Sequence, residues 1–279
     1  MSTAALGSAL RAAFDRAHVA TADGIRRSTT TIAPSLWSWS GPHGGLIAAI
    51  ALDAAAELVH ADRVPHVLSA QFLAGAGDRL LELSAQVLRA GGSSDVVRVD
   101  VSAGGEPVLS TTATFARPRP GGTSYDVVPA PAAPQPDDCP LVAPVDLVPF
   151  TQHLQIRRVG QGPVEGGDTA ALVAWVRWAD VDQPVDAATL VVMSDALAPA
   201  LYGIATVPVP VPTVDLTVTL LPERYVRDWM LVRIATRTAE DGWCVDDSDV
   251  WAPDGRHLAQ ARQTRRVLGD VRPAGTSPS

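Results

Sequence analysis

The sequence predicts an α+β fold made of two copies of one unit, each a long central helix wrapped by a curved antiparallel sheet. Three observations predict it. Two segments, about residues 43–59 and 186–201, are apolar on nearly every side, and such a helix must be surrounded. Each is followed by four strand-like runs that can wrap it. A proline-rich stretch separates the two sets and divides the chain nearly in half.

In the first half, an opening helix over about residues 4–16 leads to short strands near Val19 and at 29–32. The apolar helix comes next. Strands then fall at 64–72, 80–88, 95–102 and 108–115. In the third, Val97, Val99 and Val101 share one face and Arg98, Asp100 and Ser102 the other, the period of a half-buried strand. Repeated prolines in 118–149 prevent helix and central strand, so this segment reads as an extended linker.

The second half repeats the order. Strands at 154–159 and 170–178 precede the second apolar helix, and strands at 213–220, 230–238, 244–251 and 257–267 follow it. Val214, Leu216, Val218 and Leu220 alternate with Thr213, Asp215, Thr217 and Thr219. The offset is constant. Gly45 and Asp195, Leu81 and Leu231, and Gly105 and Gly255 are each 150 residues apart. Too long for a solenoid period, this register indicates duplication of one domain. The units expected are 1–117 and 150–271, with a flexible tail at 272–279.

Composition narrows the functions. The chain has 279 residues, 47% hydrophobic and 19% charged, with a formal net charge of -8. Bulk attraction to nucleic acid or an anionic membrane is not expected. All 22 basic residues are Arg, which excludes a Schiff-base lysine and a Walker A motif. Cys139 and Cys244 suggest no disulfide framework. The six histidines form no ligand-spaced pair and no HExxH occurs, so a zinc site is not expected. The N-terminus lacks the order of a signal peptide, and the apolar run at 46–52 is too short to span a bilayer. A soluble, cytoplasmic protein is the expectation.

One residue stands out chemically. Between Ala187 and Val214 the only charged side chain is Asp195. A buried carboxylate is costly unless hydrogen-bonded, and burial disfavours its charged form. It is held either by a polar network or for chemistry.

A long helix wrapped in an antiparallel sheet is the hotdog shape, and two in tandem make a double hotdog. The run Gly41-Pro42-His43-Gly44-Gly45-Leu46-Ile47-Ala48-Ala49, with Ser194-Asp195, Thr213-Val214-Asp215 and Gln260-Ala261-Arg262-Gln263, resembles the acyl-CoA thioesterase II type within the thioesterase-like hotdog superfamily. The resemblance runs from about residue 19 to 267. It implies hydrolysis of acyl-CoA to free acid and CoA without a metal or cofactor. It also implies a catalytic trio of Asp195, Thr213 and Gln263.

The chemistry needs those types. A desolvated carboxylate is a competent general base for water. A Thr hydroxyl and a Gln amide can each donate and accept, so they can hold the water and orient the acid. Backbone amides at a helix N-terminus can meet the developing oxyanion. Gly44 and Gly45 are placed for that role as substrate-binding residues. Arg224 and Arg227, after an active-site strand, are candidates for the CoA phosphates. At the duplication offset Asp195 falls opposite Gly45 and Gln263 opposite Ala113, so one active site per chain is expected.

Plainer readings exist for each residue. Asp195 could be a structural acid bonded to Ser194, Tyr202 or backbone. Thr213 alone is an ordinary strand residue, and Gln263 alone could face solvent among arginines. The glycines could merely admit close packing. His43, beside the glycines, could reach the site but reads more readily as a surface or capping residue, and Arg224 and Arg227 read as surface charge. The tryptophans read as core. Two other functions compete: a non-catalytic acyl-CoA-binding protein, and an enoyl-CoA hydratase- or dehydratase-like lyase. The lyase commonly needs an acid and a nearby His, and no His lies between His153 and His257. A homodimer of double hotdogs would cover exposed sheet edges.

Overall fold

The computed structural model describes residues 3–271 except 40, 78–79, 120, 122, 124, 126–127, 184 and 222–227. The elements in chain order are α1 (Thr3–Phe14), β1 (Ala17–Ala22), β2 (Ile25–Thr31), β3 (Trp37–Ser38), β4 (Gly41–Pro42), α2 (Gly44–Ala56), β5 (Val64–Phe72), β6 (Leu80–Ala90), β7 (Ser94–Ala103) and β8 (Glu106–Ala116). The second half holds β9 (Leu154–Val159), β10 (Ala171–Trp178), α3 (Ala187–Ser194), β11 (Thr213–Leu220), β12 (Met230–Glu240), β13 (Trp243–Trp251) and β14 (His257–Arg266).

Twelve strands join in one sheet of order β1-β2-β6-β7-β8-β5-β11-β14-β13-β12-β10-β9. Every pairing is antiparallel. The order is a palindrome about the β5–β11 seam, where Ala70 faces Leu216 and Leu68 faces Val218. Outward from that seam each half runs in matching sequence: β5, β8, β7, β6, β2, β1 on one side, and β11, β14, β13, β12, β10, β9 on the other. The repeat also extends to a turn. Gly105 and Gly255 have φ of 85° and 86°, the left-handed region that costs glycine little.

Helix α2 packs on β5, β6, β7 and β8, α3 packs on β11, β13 and β14, and the two helices pack on each other. Ten of the 13 residues of α2 are buried, and all eight of α3. Each fully buried Leu or Ile contributes roughly 1.5–3 kcal/mol, so these two segments anchor the core that runs beneath the seam.

Two expectations change. The second helix was expected over about 186–201, but α3 ends at Ser194 with Asp195 as its C-cap. Pro199 cannot continue a helix, and Ala198 before it is biased to extended backbone. The chain resumes as a short 3-10 turn at Ala200–Gly203. The proline-rich segment was expected to be an extended linker, but where described it is tied down. Trp251 Nε1 donates to Val128 O at 3.0 Å and Trp175 Nε1 to Pro134 O at 2.9 Å. Cys139, Trp175, Trp229, Leu231 and Trp251 bury a small apolar cluster beneath it. Val142 N–H donates to Ile156 O at 2.8 Å, and Arg158 N–H to Pro140 O at 3.0 Å. The strap thus covers part of the β9 edge. The tail at 272–279 lies outside the described residues, of which no helix is long and apolar enough to cross a membrane.

Candidate active site

The site forms where the two halves meet. His43, held by Pro42 and the short β3–β4 pairing, N-caps α2: Leu46 N–H donates to its Nδ1 at 3.3 Å. Asp195 ends α3 beside it. Gly45 N–H donates to Asp195 Oδ2 at 2.9 Å, so two positions 150 residues apart touch. A Cβ on Gly45 would lie 3.1 Å from Asp195 Oδ2 and 2.8 Å from the Asp195 Cβ, the latter a distance that real Cβ atoms essentially never show. Gly45 is glycine because the acid of the other half occupies that space.

The far side of the carboxylate belongs to the strands. Gln263, on β14, is 0% exposed, and its Nε2 donates to Asp195 Oδ1 at 3.0 Å. Thr213 Oγ1 donates to Gln263 Oε1 at 2.8 Å. Simple alternation would turn Thr213 to the same face as Asp215, away from Gln263. A register shift between Thr213 and Asp215 in the β11–β14 ladder reverses it and aims the hydroxyl inward. The trio is therefore one chain of donors, Thr213 to Gln263 to Asp195. The Asp195 side chain is 12% exposed, which leaves it reachable.

Two further side chains complete the setting. Arg265 Nη2 lies 3.4 Å from Asp195 Oδ1. His43 Nε2 lies 3.7 Å from Asp195 Oδ2 and donates to the Asp195 backbone oxygen at 3.2 Å. Because His43 Nδ1 accepts from Leu46, the proton sits on Nε2 and the ring is neutral. Burial, the largest influence, lowers its pKa from the usual value; the Asp195 charge opposes this only in part. The ring also stacks on Phe150 with centroids 4.0 Å apart.

Sequence reading found Asp195, Thr213 and Gln263, and these meet. It read His43 first as a surface or capping residue and second as one that could reach the site; the ring is buried, caps α2 and lies against Asp195. The absence of a His near Asp195 in the sequence was therefore no sign of its absence in space. Arg265 was also missed, although it lies two residues from Gln263 on the same strand face, a usable signal. Gly45 spends its N–H on Asp195 rather than leaving it for an oxyanion. Gly44 differs. Its N–H makes no hydrogen bond among the described residues, it is partly exposed, and a Cβ there would lie 3.3 Å from the Phe72 ring and 3.6 Å from Asp195 Oδ2. Arg224 and Arg227 lie outside the described residues. Among those described, no group of three or more His, Cys, Asp or Glu is placed to hold a metal ion.

The chain was compared with known proteins. A family model described as the acyl-CoA thioesterase N-terminal domain matches residues 33–116, which include α2. A model described as the acyl-CoA thioesterase C-terminal domain matches residues 125–267, which include Asp195, Thr213 and Gln263. Among solved structures, a conserved protein of unknown function with hot dog fold from Alicyclobacillus acidocaldarius is 28% identical. The match covers 94% of this chain and 99% of that one, with a TM-score of 0.83. An acyl-CoA thioesterase II from Mycobacterium marinum is 22% identical, covering 94% and 99% with a TM-score of 0.72, a likeness of fold. A search of curated proteins gave no match. With family models matching both halves of the palindromic sheet, and a solved hot dog structure matching 94% of the chain, the chain belongs to the acyl-CoA thioesterase family.

Proposed function

We propose that this chain is a tandem hotdog that hydrolyses acyl-CoA thioesters to free acid and CoA at one site per chain. The single observation that carries the reading is the junction itself: one partly exposed carboxylate held by Gln263, by Gly45 N–H and by Arg265, beside an unbonded amide at the start of α2. The first half supplies backbone donors and the second half the reactive acid.

Asp195 acts as general base. It accepts a proton from water as the water oxygen bonds to the thioester carbon. Thr213 fixes the Gln263 amide, so Gln263 presents Nε2 rather than Oε1 to the acid. The Thr213 oxygen lone pairs remain to hold the water. As the carbonyl oxygen gains charge, Gly44 N–H at the positive end of α2 meets it. Collapse of the tetrahedral adduct breaks the carbon–sulfur bond, and the proton on Asp195 passes to the leaving sulfur. Arg224 and Arg227 are proposed contacts for the CoA phosphates.

Thiol release from a panel of acyl-CoAs of different lengths tests this. Asp195→Asn removes the base and should lower kcat by about a hundredfold or more, with folding retained. Wild-type turnover in that variant would sink the assignment. The proximity of His43 to Asp195 favours a second reading, a lyase acting on enoyl-CoA. It is the weaker one, because both ring nitrogens of His43 are already bonded. Loss of enoyl absorbance without thiol release would select it.

A further inference from the structure

The chemistry above leaves an ion pair unused directly behind it. Asp246, on β13, is 0% exposed, and the side chain of Arg265, on β14, is 6% exposed. Arg265 Nε lies 3.1 Å from Asp246 Oδ2, while Nη2 lies 3.4 Å from Asp195 Oδ1 and Nη1 donates to Val211 O at 3.4 Å. One guanidinium therefore joins two carboxylates from different elements. Asp246 also accepts from Thr236 Oγ1 at 2.7 Å and from Ala200 N–H at 3.4 Å. Strand register explains the gathering. Asp246 faces Gln263 across the ladder, and Cys244 faces Arg265, so all four share the side on which α3 ends.

Stability does not account for this cluster. Apolar residues of similar volume commonly serve a buried site as well as an ion triad or better, because each charge must be stripped of water. A guanidinium that reaches both carboxylates does offer something apolar residues cannot: a permanent positive charge at a fixed distance from Asp195.

We propose that Arg265 and Asp246 are positioning residues for the hydrolysis. Arg265 orients the Asp195 carboxylate and favours its anion, and Asp246 sets how much of that positive charge Asp195 feels. This rests on Asp195 being the general base. The other titratable groups facing the cluster hold one charge state across neutral pH. His43, ahead of α2, stays neutral; Cys244, on β13, is pushed up to about 12 by burial and by Asp246; and the Tyr202 hydroxyl, raised by burial, donates to Val209 O.

The test uses the full chain and its Asp246→Asn, Arg265→Met and doubly substituted variants. Two readouts are followed against pH: kcat/KM for thiol release, and the side-chain carboxyl signal of Asp195 by carbon-13 NMR, assigned through Asp195→Asn. Asp246→Asn should move the acid limb and the NMR midpoint to lower pH. Arg265→Met should move both to higher pH by about one unit or more, and lower kcat about tenfold with KM little changed. The double variant should bring the midpoint back toward wild type. A purely structural pair would change stability and leave both midpoints in place. Should Arg265→Met fail to fold, Asp246→Asn decides alone, and its unchanged midpoints would overturn the inference. A wild-type chain that releases no thiol from any acyl-CoA would overturn the hydrolase reading and the catalytic part of this one. The NMR titration would still decide the charge coupling.

Discussion

Gly45→Ala presses on the tightest contact between the two halves. The new Cβ would sit 2.8 Å from the Asp195 Cβ, 3.1 Å from Oδ2 and 3.2 Å from the His43 ring. Ordinary carbon contact is about 3.5 Å, so Asp195 must retreat by about 0.7 Å. None of the three neighbours is a flexible chain end. Asp195 is held at a helix terminus and His43 is bonded at both nitrogens. For stability, two effects oppose each other. Ala is favoured over Gly within a helix by about 1 kcal/mol, whereas overpacking costs about 1–3 kcal/mol. The net loss should stay under about 2 kcal/mol, which a domain of this size survives. For activity, a displacement approaching 1 Å costs up to about a hundredfold. Gly45→Ala should therefore fold, lose a few degrees in Tm at most, and fall roughly ten- to a hundredfold in kcat for acyl-CoA. Gly92→Ala, with open space around its missing Cβ, controls for glycine replacement as such. Wild-type kcat in a folded Gly45→Ala protein would refute the argument that this contact places the acid.

Two further expectations concern titration. The pKa of Cys244 is pushed to about 12 by burial first and by Asp246 second, so its thiolate at pH 8 is about a thousandfold scarcer than in an ordinary cysteine. Native protein should leave Cys244 unmodified by a thiol reagent that labels both cysteines in urea, and fast native labelling mapped to Cys244 would contradict this. His43 has a lowered pKa in the folded chain, so below about pH 6.5 the unfolded state binds the extra proton. Stability contributed by the neutral ring is present above that pH and is lost as pH falls through it, by up to about 1.4 kcal/mol per pH unit. His43→Asn keeps an N-cap type and should flatten the fall in unfolding free energy between pH 7 and 5.

Much of the architecture was legible because it is local. The apolar runs in α2 and α3 and the alternation in β7 report burial directly, and the matching offsets are consistent with the palindromic strand order, which the sequence reading did not itself draw. The end of α3 was legible too, through Pro199, but the apolar run around it was the louder signal. Asp195 announced itself by being the one charge in that run. Other features left little local trace. Nothing near Asp195 in sequence points to His43, 152 residues away, and nothing in the proline-rich segment says that its carbonyls would meet the indoles of Trp175 and Trp251. The inward turn of Thr213 depends on a strand irregularity that breaks the period used to assign its face.

By itself the amino-acid order determined which segments must be buried, that one unit occurs twice, and that only the second copy carries Asp195 and Gln263. Those are matters of periodicity and residue type, which neighbours along the chain express. Only the tertiary structure decided that Gly45 and Asp195 touch, that His43 leans on the same acid, and that Arg265 shares its charge between Asp195 and Asp246. The reason is physical: electrostatic coupling depends on separation through space. The seam between the halves brings together in a few ångströms groups that the chain keeps up to 152 residues apart.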